Sequence, residues 1–198
     1  MQKLILPVNR TKLTASWKTS AYLTRFGFNH YGVDMISTVG SRIVYAQGKG
    51  TVLLTGSDSV LGNIIVVRYA DVFGPAGGQG QDIIARMYHF DSITVKMGQA
   101  LDKDTQLGIY GNTGQYSAGA HLHLEMDTDL NYPTYTPTLS GNSTLFKGRS
   151  AGATDKTMLN PIAWTHCKMS APDYQAYTTA GDSYIRSEDR TILTLTSL

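Results

Sequence analysis

The clearest pattern in the chain is a run of strict alternation, Ala120-His121-Leu122-His123-Leu124-Glu125-Met126. Period-two alternation predicts a half-buried β-strand, because successive side chains on a strand point to opposite faces. His121, His123 and Glu125 then share one face, and Leu122, Leu124 and Met126 share the other. Shorter apolar runs precede it: Ile43–Ala46, Thr51–Leu54, Ile64–Tyr69, Ile83–His89, Ile93–Lys96 and Gln106–Tyr110. Gly62-Asn63 and Gly111-Asn112-Thr113-Gly114 punctuate them as turns, and Gly74–Gly80 reads as a hairpin tip. That stretch lacks the Lys and Ser/Thr of a phosphate loop. Strands at this spacing, with no sustained helical period, predict a mostly β fold. The expected form is an antiparallel sheet, sandwich or barrel-like, with few short helices.

The flanks carry less pattern. Residues 1–24 read as an irregular N-terminal segment, and 25–167 as the main domain. Within it, 127–157 is rich in Thr, Ser, Asn, Gly and Pro and reads as an inserted loop. A loop of this length, placed directly after the His-x-His strand, either walls a substrate groove or is a surface excursion. Residues 168–198 form a C-terminal tail in which Thr191–Leu195 would suit a strand, packed on the core or leading into a linker.

Composition narrows the function classes. A chain of 198 residues fits one domain with some elaboration. Its net charge of +2 is too small to argue for nucleic acid. No run of about 18 apolar residues predicts a transmembrane helix. The apolar stretch after Met1 is too short for a secretory signal, so a mature or excised domain, or another export route, is expected. The single cysteine, Cys167, excludes an internal disulfide. His166 stands beside it, but strand neighbours point apart, so a Cys/His nucleophile is disfavoured and both residues read as structural.

The histidines offer different chemistry. His30-Tyr31-Gly32-Val33-Asp34 places a histidine and a carboxylate four residues apart, about 13 Å on a straight strand and too far to hold one ion. A bend or bulge at Gly32 would bring them together. A catalytic zinc usually takes three protein ligands and leaves a fourth position open. His30, Asp34 and one of the His121/His123 pair would supply them, although spacing alone does not say which histidine does what. No His-Glu-x-x-His helix is present. Histidines without a metal, on a surface turn or a strand face, are the competing reading of each motif alone.

Several motifs in one order resemble the lysostaphin-type zinc endopeptidases, also called LytM-like domains. They are His30-Tyr31-Gly32-Val33-Asp34, Tyr88-His89-Phe90 through Gly98-Gln99, Leu107–Gly114, and His121-Leu122-His123-Leu124-Glu125. The resemblance covers roughly residues 25–126. It implies a groove over one sheet of a mostly antiparallel β fold, and one Zn²⁺ held by His30, Asp34 and His123. It implies His121 as general base and His89 as the stabiliser of a tetrahedral oxyanion. The substrates it implies are peptide bonds in peptidoglycan stems or cross-bridges, met outside the cytoplasm: in the periplasm, at the cell wall or from a phage particle. Glu125 on the histidine face reads either as a hydrogen-bond partner of those histidines or as an ordinary strand-end carboxylate. The alternatives are a non-catalytic LytM-like module that binds the wall or a partner, and a saccharide-binding β-sandwich using the scattered tyrosines. Oligomeric state is left open.

Overall fold

The computed structural model describes residues 1–75, 77, 79–136, 145–148, 156–169 and 191–195. In chain order the elements are β1 (Thr11–Ala15), α1 (Ser20–Phe26), β2 (Val33–Ser37), β3 (Ile43–Tyr45), β4 (Gly50–Asp58), β5 (Gly62–Val72) and β6 (Gln81–Ile93). They continue with β7 (Ala100–Leu101), β8 (Gln106–Tyr110), β9 (Leu122–Asp127), β10 (Tyr135–Thr136), β11 (Lys147–Gly148), β12 (Met158–Leu159), β13 (Lys168–Met169) and β14 (Thr191–Leu195). Among the described residues, twelve strands form one sheet in the order β13-β14-β1-β2-β9-β6-β5-β4-β7. β12 adds to β9, β8 lies beside β6, and β3 pairs with β8. Neighbours are antiparallel except β14, which runs parallel to both β1 and β13. The expected mostly β, antiparallel architecture is what the chain adopts.

One apolar core joins Leu13 on β1, Met35 on β2, Val44 on β3, Val52 on β4, Ile65 on β5, Met87 on β6 and Leu124 on β9. Strands far apart in sheet order thus share one interior, so the sheet is rolled on itself. A second cluster lies on the outer face of β5 and β6, where Ile64, Val66, Ile84 and Tyr88 are covered by Phe146. β5 and β6 are therefore buried on both faces. That explains why Ile64–Val67 is a continuous apolar run rather than an alternating one.

Three sequence expectations change. Residues 1–24 are not irregular: they supply β1 and most of α1, and Leu4, Leu6 and Val8 are fully buried. The first eight residues join the fold by single bridges, Leu4 to Thr165 and Val8 to Val44, rather than by a ladder, and so carry no period. Second, the strand expected over Ile93–Lys96 is only the end of β6, at Ile93. Third, the inserted stretch 127–157 is in part structured: Asp127 ends β9, and β10 and β11 form a small separate sheet. Residues 137–144 and 149–155 of that stretch lie outside the described residues. In the tail, Thr191–Leu195 forms the strand its apolar content suits, paired with β1.

Candidate metal centre

Sheet register builds the site. β9 lies between β2 and β6, and His123 is directly opposite Asp34 on one side and Tyr88 on the other. Opposed residues in a ladder point to the same face, so Asp34, His123 and Tyr88 form a row across three strands. Leu122, Leu124 and Met126 point into the core, as the alternation requires, but the strand is not half-buried as expected: His123, Glu125 and Asp127 on its other face are buried too. The Tyr88 and His123 rings stack with centroids 5.2 Å apart.

His30 reaches the row from the segment preceding β2. Its Nε2 lies 3.2 Å from Asp34 Oδ1 and 3.2 Å from His123 Nδ1, and the latter two atoms are 2.8 Å apart. The bend expected around Gly32 is present, but the need for glycine there is close approach rather than a left-handed φ. A Cβ on Gly32 would sit 2.7 Å from His123 Cε1 and Nε2 and 2.7 Å from the Leu124 carbonyl. Tyr22 of α1 stacks on the other face of His30, centroids 4.4 Å apart.

The outer nitrogens decide what this triangle can hold. His30 Nδ1 donates to the Ser16 carbonyl at 3.0 Å, and His123 Nε2 donates to Glu125 Oε1 at 3.3 Å. In their neutral forms both rings would therefore turn a lone pair inward, toward a carboxylate oxygen. Three acceptors at this range repel one another unless a proton or a metal ion sits among them. Ligands about 2.0–2.1 Å from a tetrahedral zinc lie roughly 3.3 Å apart, close to the separations here. His30, Asp34 and His123 thus fit one metal ion, with potential ligand atoms all within 4.8 Å of one another. The carboxylates also draw a proton onto the His123 imidazole, a proton that a metal ion would displace. Burial opposes the charge of Asp34, yet His30 and His123 hold its pKa well below the carboxylate range. Burial would lower His123, but Asp34 and Glu125 outweigh it and push it up to about 9.

The two remaining histidines stand beside the triangle. His121 Nδ1 donates to the Gly119 carbonyl at 2.7 Å, and its Nε2 lies 3.7 Å from Asp34 Oδ1. His89 Nδ1 donates to the Thr113 carbonyl at 2.9 Å, with its ring centroid 4.9 Å from that of His121. His89 occupies a β-bulge: the register of β5 against β6 slips between Asn63↔Phe90 and Ile65↔Met87. Its φ is +71°, in the left-handed region that non-glycine residues rarely adopt. Ile83, Ala85 and Met87 face the main core while Ile84 and Tyr88 face outward, and after the bulge Phe90 returns to the main core. The extra residue re-aims His89 toward the site beside Tyr88. Burial, then His121 and His123, lower its pKa to about 3.

Beneath His123 lies a buried ionic cluster. Glu125 accepts from Tyr88 Oη at 3.1 Å and Thr136 Oγ1 at 2.7 Å, and Arg86 Nη1 approaches it at 3.5 Å. Arg86 also donates to Asp127 at 2.7 Å and to the Pro133 carbonyl at 2.7 Å. Glu125 is thus a hydrogen-bond partner of His123, one of the two readings its place on the strand allowed. Arg86, Tyr22 and the carbonyls of Ser16, Thr113 and Gly119 were invisible to sequence reasoning; only Tyr88, adjacent to His89, carried a signal. Cys167 and His166 are buried structural residues, with the His166 ring 5.5 Å from Phe73.

A cavity of about 20 Å³, enough for one small group, is lined by Asp34, His89, His121 and His123. It opens beside a groove of about 600 Å³ between α1 and the Gln115–Ala120 segment. All five histidine and aspartate residues singled out in the sequence converge at this point.

Residues 28–134 match the model of Peptidase family M23. That span is more than half the chain, and the chain belongs to this family of metallopeptidases. Peptidoglycan DD-endopeptidase ShyA of Vibrio cholerae serotype O1 is 31% identical over 97 residues, which are 49% of this chain and 20% of that protein. The chain thus covers about a fifth of that relative's length. Among solved structures, a zinc containing peptidase from Vibrio cholerae is 26% identical with a TM-score of 0.51, covering 63% of this chain and 36% of that one. The solution structure of lysostaphin, 20% identical with a TM-score of 0.52 over 82% of this chain and 53% of that one, shares the fold.

Proposed function

We propose that this chain is a zinc-dependent endopeptidase that hydrolyses peptide bonds in the stems or cross-bridges of bacterial peptidoglycan. The observation that carries the reading is the convergence of three potential ligand atoms, His30 Nε2, Asp34 Oδ1 and His123 Nδ1, beside two more imidazoles at the head of a groove. Family membership and the resemblance to ShyA support it. Zinc held by these residues supplies Lewis acidity and lowers the pKa of water to about 7.

The remaining steps belong to the side chains. His121, with Nδ1 committed to Gly119, offers Nε2 to take the proton of an attacking water. His89, with Nδ1 committed to Thr113, presents its Nε2 to the same cavity. A neutral His89 has no second N–H to give. It donates to a developing oxyanion only when it takes up a proton, which the growing negative charge favours and burial in the free chain opposes. The groove between α1 and Gln115–Ala120 receives the substrate peptide. Because that polymer lies outside the cytoplasm, the chain acts in the periplasm, at the wall or from a phage particle.

The test joins metal content to hydrolysis. Purified protein is assayed for zinc and incubated with sacculi of several cross-link types, with and without chelator. The expected outcome is one zinc per chain and chelator-sensitive release of new amino groups. His123→Ala should lose zinc and activity together, and His121→Ala should keep zinc and lose turnover. Bound zinc with no cleavage of any sacculus would favour a binding or regulatory module instead.

A further inference from the structure

The proton-accepting role proposed for His121 requires one tautomer, with the proton on Nδ1 and the lone pair on Nε2. The group that sets this tautomer is the Gly119 carbonyl, 2.7 Å from Nδ1. Packing does not hold that carbonyl in place. Gly119 is exposed, and a Cβ built on it would meet nothing within 4 Å. The Ser117 hydroxyl also reaches that carbonyl, at 3.1 Å, but its single proton lies closer to Asn112 Oδ1, at 2.6 Å, and holds the carbonyl only weakly.

Asn112 supplies the tighter constraint. Its Oδ1 accepts from the Gly119 N–H at 2.7 Å and from the Ser117 hydroxyl at 2.6 Å, so one amide oxygen closes the 117–119 turn. Both partners are donors, which fixes the oxygen rather than the nitrogen of the amide toward the turn. The backbone on either side is anchored. Gly111 N–H donates to the His89 carbonyl at 2.8 Å, and His121 N–H donates to the Gly111 carbonyl at 3.0 Å. Asn112 therefore projects from a fixed point, across the turn, onto the peptide that orients His121.

We propose that Asn112 is the positioning residue of His121: its side-chain oxygen locks the Gly119 peptide, whose carbonyl holds the imidazole as the Nδ1–H tautomer with Nε2 toward Asp34. Asn112 is itself exposed, so its role is separable from folding. The inference rests on the endopeptidase reading for its kinetic consequence, though not for its structural one.

The experiment compares Asn112→Ala and Asn112→Asp with the unaltered zinc-loaded chain. Asp keeps an oxygen that accepts both hydrogen bonds, and Ala removes it. Turnover is measured on a soluble cross-linked muropeptide, and the His121 ring is read by long-range ¹H–¹⁵N correlation, assigned with His121→Ala. Asn112→Ala should lose about tenfold or more in kcat with KM and zinc content unchanged. Its His121 signals should move from a single Nδ1–H tautomer to a mixture, and Asn112→Asp should restore both readouts. An unchanged His121 tautomer in Asn112→Ala would overturn the inference, as would failure of Asn112→Asp to restore it. If the unaltered chain cleaves nothing, the endopeptidase reading fails, while the tautomer measurement still decides the role of Asn112.

Discussion

Tyr88 lies flat against His123, with the two rings 6° from parallel, and its hydroxyl donates to the same Glu125 that His123 Nε2 engages. One side chain thus fixes the plane of the imidazole and also helps hold its hydrogen-bond acceptor. Burial, then the charge of Glu125, hold the phenol well above its ordinary pKa, so the O–H remains a donor throughout the working range.

Separating the two roles gives a first prediction. Tyr88→Phe keeps the stack and removes one donor from a buried carboxylate, a loss of about 2 kcal/mol of stability. Tyr88→Leu removes the stack as well, so the imidazole plane is freed, and zinc affinity should fall by about tenfold or more. Chemical denaturation and competition with a chromophoric chelator measure the two effects. Equal zinc affinity in Phe and Leu variants would show that the stacked ring does not orient His123.

Gly32 gives a second. Any Cβ there meets the His123 ring and the Leu124 carbonyl at 2.7 Å, and neither is a flexible side-chain end free to swing aside. Gly32→Ala should displace a ligand and lower zinc affinity at least about tenfold, because loss of an outer-shell partner alone costs 10–100-fold. Full zinc occupancy in Gly32→Ala at micromolar metal would mean that β2 shifts to make room.

The histidine-bearing motifs were legible for definite reasons. Alternation over 120–126 placed Leu122, Leu124 and Met126 in the core because β9 has one face on each side of the sheet, and period two reports that directly. Other features were legible only in part or not at all. His89 faces the site only because a bulge with φ +71° breaks the alternation of β6, and no pattern of apolar residues encodes a bulge. The bend at Gly32 that joins His30 and Asp34 could be read from the sequence, but not that its glycine makes room for His123 and Leu124 of the neighbouring strand, a relation between distant segments. Nothing in the Ile83–His89 run marks Arg86, yet it is fully buried because Glu125 opposite it and Asp127 nearby neutralise it. Residues 4–8 are core without period because bridges rather than a ladder hold them.

Cys167 supplies a third prediction, against thiol chemistry. Burial raises its pKa to about 11, with the Thr165 hydroxyl opposing only in part. Below that pH the group is a protonated thiol, and the thiolate is the reactive form. At pH 8 a thiol reagent should label the native chain far more slowly than the denatured one, and Cys167→Ala should retain cleavage within about twofold. Rapid stoichiometric labelling of the native protein would contradict the burial on which this rests.

The charge balance around Arg86 yields the last. Its guanidinium is fully buried; burial alone would lower its pKa, and the carboxylates of Glu125 and Asp127 hold it above its ordinary value instead. Arg86→Ala leaves two buried carboxylates with no cation and also frees the Pro133 carbonyl, so it should cost about 3–5 kcal/mol. Asp127→Asn leaves Arg86 paired with Glu125, a balanced pair, and should cost markedly less. Denaturant midpoints rank the two variants. Equal losses would mean that hydrogen bonding to the Tyr132–Pro133 backbone, rather than charge balance, is what holds the cluster; a larger loss for Arg86→Ala identifies the guanidinium as the counter-charge that lets Glu125 sit, ionised and dry, behind His123.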